Sequence, residues 1–435
     1  MPTRHRKELK IITFASGGQI IEFYDFLIFI YFSGAISTHF FEGSQFARYL
    51  SVFCVFALGY LVRPIGGIVF GHFGDKIGRK KVFLASIFLI SVSTFLMGFI
   101  PGYAVLGIVS PLIFILLRMM QGFALGGELS GASTYVYECM SETRKVFGTS
   151  FIFSALYLGT LIASVLVTIL FAVYGPKALV NTFAWRIPFI FGGVLGLFIG
   201  IFRYSLLETD TFEKLLKDHK ILKYPFLELI RKNYKKVILG IFIYFYVFLS
   251  TVLTIVLPDV LPAFLHEYKP ETTLKINSYI LLILVILIPI AGYTISKYKL
   301  NKYLCFSISS ILLCVSSFFI FSLIQTKNVE LLFCAYLIFA IIDSVAEASA
   351  LAIIIDLFKP NIRYSGVALV ANIGSILIIG IVPGIIIYMI KLTGDLSSVT
   401  YLAVIITAVP AVTGLYLYYK NKKQYTQTYI DSNIV

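Results

Sequence analysis

The feature that most limits what this chain can become is a succession of about twelve apolar runs, each near the ~20 residues a helix needs to cross a hydrocarbon core ~30 Å thick. Their approximate spans are 11–38, 48–70, 82–100, 109–135, 147–173 and 186–206, then 237–257, 276–296, 303–325, 329–355, 365–390 and 398–419. In a bilayer no water satisfies exposed peptide groups, so such runs fold as helices. Composition agrees, with 59% of 435 residues hydrophobic and 13% charged, against about 25% charged in soluble domains. The expected class is an all-α, multi-pass membrane protein. Five cysteines are scattered without a CxxC, a pattern that predicts neither disulfides nor a metal site.

A net charge of +14 would suggest nucleic acid in a soluble chain, but here the positions of the charges matter more. With the N-terminus inside, only Arg48, Lys177, Arg186, Lys269, Lys275, Lys327 and Lys391 fall on outer loops, and Arg63 and Arg118 lie within helices. The rest of the 36 Lys and Arg fall inside, which predicts both termini in the cytoplasm. The basic start leads into a first run that carries Glu22 and Asp25 and no small-residue cleavage site, so it is expected to stay as helix one. The longest polar segment, 207–236, divides the chain into a six-helix half at 1–206 and another at 237–435. Its apolar residues recur at helical spacing, which predicts an amphipathic helix near the membrane surface.

Between the second and third runs stands GHFGDKIGRKKVF, residues 71–83. Glycine there lets the backbone turn and approach a neighbour, while the bases alone are what an inside loop collects anyway. The pattern G-x-x-x-D-[RK]-x-G-[RK]-[RK] resembles the signature loop of the major facilitator superfamily. That resemblance implies a gating latch built from Gly71, Asp75, Lys76, Gly78, Arg79 and Lys80. The second half should repeat it after helix eight, at Gly292 to Lys302; there Lys297 is taken to stand at the aspartate position and Leu300 at the second glycine, a degenerate copy. GGQIIEFYDFLIFIY, RMMQGFALGGELSGASTYVYE, WRIPF and DLFKPNIRYSGVALVANIGSILIIGIVPG narrow the resemblance to the metabolite:proton symporter branch. That branch includes transporters of proline and betaine, 2-oxoglutarate, citrate and shikimate.

Ionisable groups inside a membrane are costly enough to be functional candidates by default. Glu22 and Asp25 lie roughly 16 and 21 Å into helix one, on neighbouring positions of one face. Arg118 lies near the same depth in helix four, with Gln121 and Glu128 on its face. These groups suit proton coupling, with Asp25 or Glu22 as carrier, Arg118 as the modulating cation and Glu128 in the same set. The bland alternative is a static ion pair with Arg118. Arg118 can instead hold a substrate carboxylate bidentately, with Gln121, Tyr24, Tyr157 and Asn372 as further cavity candidates. Phe23, Tyr24, Tyr31 and Tyr157 can hold a quaternary ammonium by cation–π attraction. Arg63 can snorkel and is expected to be mostly structural, Trp185 to sit in an interfacial belt, Asp343 and Glu347 to form a cytoplasmic-side gate pair, and Arg363 to be part of a gate or a topogenic charge.

No HExxH or GxSxG motif is present, and the five histidines do not cluster, so an enzyme is not expected; nor is a selectivity motif of a channel evident. A non-transporting sensor on the same fold is the remaining alternative. The expectation is therefore a proton-driven symporter in the bacterial plasma membrane, working as a monomer without cofactor, metal or nucleic acid. Its substrate is a small polar metabolite. A zwitterion such as proline or glycine betaine fits acids on one wall and an arginine on the other; a di- or tricarboxylate is the alternative.

Overall fold

The computed structural model describes residues 2–175, 182–264 and 268–433; Lys177 lies outside them. Among those residues eleven helices are long and apolar enough to cross a membrane, and a bent pair makes a twelfth. They contain α1 (Pro2–Tyr31), α2 (Gln45–Ile77), α3 (Arg79–Met97), α4 (Val109–Cys139), α5 (Lys145–Tyr174), α6 (Ile187–Tyr204), α7 (Pro225–Tyr244), α8 (Pro270–Lys297), α9 (Lys302–Ile324), α10 (Val329–Asp356), α11 (Arg363–Ser375, the first part of a span that runs Pro360–Thr393) and α12 (Ser397–Asn433). The first run is broken near Phe32 and continues as Ser33–Phe40. Helix α4 runs four residues past the expected end of its run and so takes in Glu138.

Contacts group the chain into two units. The first holds Met1–Met140, Phe151–Tyr234 and Phe358–Asn372; the second holds Ser141–Ser150, Lys235–Leu357 and Ile373–Val435. Each unit therefore includes a short stretch from the opposite sequence half, at the start of α11 and of α5. The polar segment after residue 206 is a short helix, Asp210–Lys217, followed by the exposed beginning of α7.

In the first unit, α2 and α4 meet backbone to backbone. A Cβ on Gly66 would stand 1.8 Å from the Phe123 carbonyl oxygen, and one on Gly122 would stand 2.1 Å from that of Gly59. Small residues allow this approach, and in lipid, where water drives no apolar association, close packing holds helices together. At one end of the unit an aromatic cluster closes around Trp185, which is fully buried between His39, Phe40 and Phe189. A ring enclosed by its own bundle cannot serve as the interfacial anchor expected of it.

In the second unit, α9 packs on α10 and α12, and α8 packs on α10. Helix α7 bends by 42° into Val247–Val256, whose last five residues form a wide π turn. A second π turn, Ile376–Ile381, follows α11 just before Pro383, which has no N–H to donate back into the helix.

Candidate functional site

Helices α1, α2 and α4 enclose a small cavity lined by Glu22, Phe23, Asp25, Phe26, Tyr60, Arg63 and Arg118, among others. Its volume of about 20 Å³ is room for roughly one water. Asp25 and Arg118 pair at 2.7 Å, and Thr94 donates to the other Asp25 oxygen at 3.3 Å. Arg118 also donates to Gln121 Oε1 at 2.5 Å and lies 4.3 Å over Phe29. Gln121 in turn donates to Thr94 Oγ1 at 2.7 Å. Glu22 forms a separate pair with Arg63 at 2.5 Å and accepts from Gln19 at 3.1 Å. Arg63 is therefore paired within the bundle rather than snorkelling. Two acids face two guanidiniums across one cavity, so its formal charge is zero.

Glu128 belongs elsewhere. It binds Arg203 through both oxygens, at 2.6 and 3.2 Å, and accepts from Ser86 at 2.7 Å. Arg203 also donates to the carbonyls of Phe14 and Ala15 and covers the Phe83 ring at 3.7 Å. Tyr24 is buried with its hydroxyl donated to the Pro188 carbonyl at 2.8 Å. Asn372 donates to the carbonyls of Gly126 and Ala368 at 2.8 and 2.7 Å, clasping α11 to α4. Tyr157 is buried too. None of Tyr24, Tyr157 and Asn372 lines the cavity. Phe26 and Tyr60, which sequence reasoning passed over, do.

The 71–81 loop is tied down on three sides. Asp75 accepts from the backbone N–H groups of Tyr364 and Ser365 at 3.1 and 2.9 Å, two of the donors a helix N-terminus leaves unmatched. Gly71 allows that contact, since its Cβ would come within 2.8 Å of Ser365 Cα. Arg79, fully buried, lies 3.4 Å from Asp75 and donates to Glu138 at 3.2 Å and to the Gly74 and Pro360 carbonyls. Glu138 also binds Arg363 at 2.8 Å and Thr209 Oγ1 at 2.8 Å. Glu208 accepts from the N–H groups of Arg79 and Lys80, capping α3. Gly78 has φ of +115°, and a Cβ there would stand 2.4 Å from Glu208 Oε2. Lys80 lies over Tyr204, while Lys76 is exposed and forms no ion pair among the described residues. Glu138, Glu208 and Thr209 were not foreseen; Glu138 closes the helix-four motif string, the one signal that pointed to it.

The second loop corrects the register assigned above by one residue. Ser296, not Lys297, is the counterpart of Asp75: it lies four residues after Gly292, and its hydroxyl accepts from the N–H of Phe147 at 3.1 Å. Phe147 is the third residue of α5, as Ser365 is of α11. Lys299, with φ of +52°, stands where the first loop has Gly78, so Leu300 is not the glycine counterpart. Asp343 and Glu347 are buried in α10, with Asp343 near mid-helix.

Residues 16–383 match the sequence profile of the Major Facilitator Superfamily. The chain belongs to this superfamily of transporters. It is 29% identical over 421 residues to a proline/betaine transporter of Salmonella typhimurium, covering 93% of this chain and 82% of that protein. It is 30% identical over 426 residues to a glycine betaine/proline/ectoine/pipecolic acid transporter of Dickeya dadantii, covering 94% and 83%. Among solved structures, the proton:xylose symporter XylE superimposes with a TM-score of 0.71 at 15% identity, over 95% of this chain and 96% of that one. That likeness concerns the fold.

Proposed function

We propose that this protein is a proton-coupled symporter that imports a compact zwitterion of the proline or glycine betaine kind across a bacterial plasma membrane, working as a monomer with its 71–81 latch on the cytoplasmic side. The observation that carries the reading is the cavity in which Glu22–Arg63 and Asp25–Arg118 pair beside Phe23, Phe26 and Tyr60. A net-neutral cavity with both signs suits a net-neutral solute with both signs. A di- or tricarboxylate would meet two guanidiniums that are already neutralised. The names of the two transporter relatives point the same way.

Coupling follows from exchange of partners. The substrate carboxylate takes the Arg118 guanidinium bidentately, and the substrate cation lies against Glu22 and the ring faces. Asp25, deprived of its cation in a dry site, binds a proton rather than remain an isolated buried charge. A cavity with room for about one water means the pairs must part before substrate enters. Proton and substrate would then be bound together, and the latch at Asp75 would open to release them.

The test is uptake into energised proteoliposomes, with an inward proton gradient set or collapsed, of labelled proline, glycine betaine, 2-oxoglutarate and citrate in parallel. Gradient-dependent accumulation of a zwitterion is expected. Asp25→Asn should abolish accumulation while retaining exchange of substrate for substrate; full accumulation by that variant would refute the carrier assignment.

A further inference from the structure

Five buried acids of the first unit, Glu22, Asp25, Asp75, Glu128 and Glu138, each have a guanidinium or peptide N–H groups against the carboxylate. Asp343 differs. It is fully buried, and among the described residues no guanidinium, ammonium or N–H group meets either carboxylate oxygen, the side chain set against it being another acid, Glu347. It lies fourteen residues into α10 (Val329–Asp356), roughly 21 Å along a helix of about 42 Å.

Among the described residues, α8, α9 and Val247–Val256 bring no counter-charge to that depth. On α8 the charged side chains are Glu271 and Lys275 in the first two turns and Lys297 at the last residue. On α9 the only one is Lys302, which pairs with Asp356, thirteen residues and roughly 20 Å from Asp343 along the helix. Cys314 on α9 is turned to the Val404 carbonyl. Val247–Val256, which receives the Tyr336 hydroxyl at Leu253, carries no ionisable group. Glu347, one turn further along α10 on the same face, adds a second acid. An ionised carboxylate with such neighbours would be an isolated buried charge beside a like charge, and the physical alternative open to it is to take up a proton.

We propose that Asp343 is a second proton-binding site, loaded at neutral pH as the carboxylic acid and unloaded once in each transport cycle. The unloading rests on the proton-symport reading above; the loading does not. The loaded form is an O–H donor in a mid-membrane position, placed to give its proton to any acceptor that reaches α10 when the helices rearrange.

Infrared spectroscopy of the purified protein in lipid tests the loading. The carbonyl stretch of a protonated carboxyl should be present at neutral pH, absent in Asp343→Asn and retained in Asp25→Asn. Should the asparagine variant fold poorly, Asp343→Glu must shift the same band. A spectrum unchanged by either substitution overturns the proposal. For the unloading, the proton-to-substrate ratio is read in proteoliposomes from the gradient at which net flux stops, and it should fall by one proton in Asp343→Asn. An unchanged ratio overturns the transport role. If the unaltered protein shows no gradient-driven uptake, the symport reading fails while the infrared result still decides whether Asp343 carries a proton.

Discussion

Glu128 gives the sharpest separation between holding the fold and moving a proton. Its carboxylate takes two hydrogen bonds from Arg203 and one from Ser86, and both charged groups are fully buried. Glu128→Ala leaves the guanidinium with two backbone carbonyls and the Phe83 ring, one full charge uncompensated. Breaking a buried pair on one side costs about 3–5 kcal/mol, or roughly two to three and a half powers of ten in the unfolding equilibrium. Denaturant titration in mixed micelles measures this, with fluorescence of Trp185, the only tryptophan and fully buried in the same unit, as the reporter. Replacing both partners, as Glu128→Leu with Arg203→Met, should recover most of the loss, because an apolar pair needs no counter-charge. Per folded molecule, the double variant should keep gradient-driven uptake. A Glu128→Ala protein with unchanged stability but no accumulation would refute this and return Glu128 to the coupling machinery.

Other substitutions test separate parts of the structure. Gly122→Ala places a methyl 2.1 Å from the Gly59 carbonyl oxygen; restoring a C···O distance of about 3.3 Å requires α2 and α4 to part by about 1.2 Å. Thermal stability in detergent should fall, and substrate affinity, measured by calorimetry, should drop at least tenfold as Arg118 one turn away shifts. Gly78→Ala forces φ of +115° on a residue with a Cβ and presses on Glu208, costing about 1–3 kcal/mol in the same denaturant titration. Asp75→Asn removes the charge from two bonds to the start of α11, so maleimide should label a cysteine placed at Ser365 several times faster than with Asp75 intact.

The spans, the family and the pairing of Asp25 with Arg118 were legible because each rests on a local pattern or on depth along a helix. What failed needed knowledge of which helices cross. Arg203 fell among the bases assigned to the inside, since eight more follow it by residue 236; only the crossing of α6 with α1 and α4 shows it buried against Glu128. The partner of Arg63 was hidden because Pro64 and the end of the run were visible, whereas the height of Glu22 on another helix was not. Glu138 fell outside the run because a hydropathy boundary marks where apolar residues stop, and α4 continues as helix to Cys139. For the second loop, Lys297 was set at the aspartate position although the spacing from glycine already marks Ser296, four residues after Gly292 as Asp75 is after Gly71. The contact made there requires an acceptor for a peptide N–H, and a hydroxyl supplies one without charge.

That last substitution bears on how the two loops differ in strength. A carboxylate accepting two N–H groups at a helix N-terminus gains from both the bonds and the dipole, whereas a serine hydroxyl accepting one gains a neutral bond alone, and charge-assisted bonds are about twice as strong. Arg79, Glu138, Arg363 and Glu208 then reinforce the first loop. In the second, Lys299 holds a positive φ that glycine would adopt without strain. Opening at the first loop is therefore the costlier step, and adding charge should narrow the difference. Ser296→Asp should strengthen the contact with Phe147 and slow labelling of a cysteine placed at Phe147, while leaving labelling at position 365 unchanged. If both sites respond equally, the two loops do not act as separate latches.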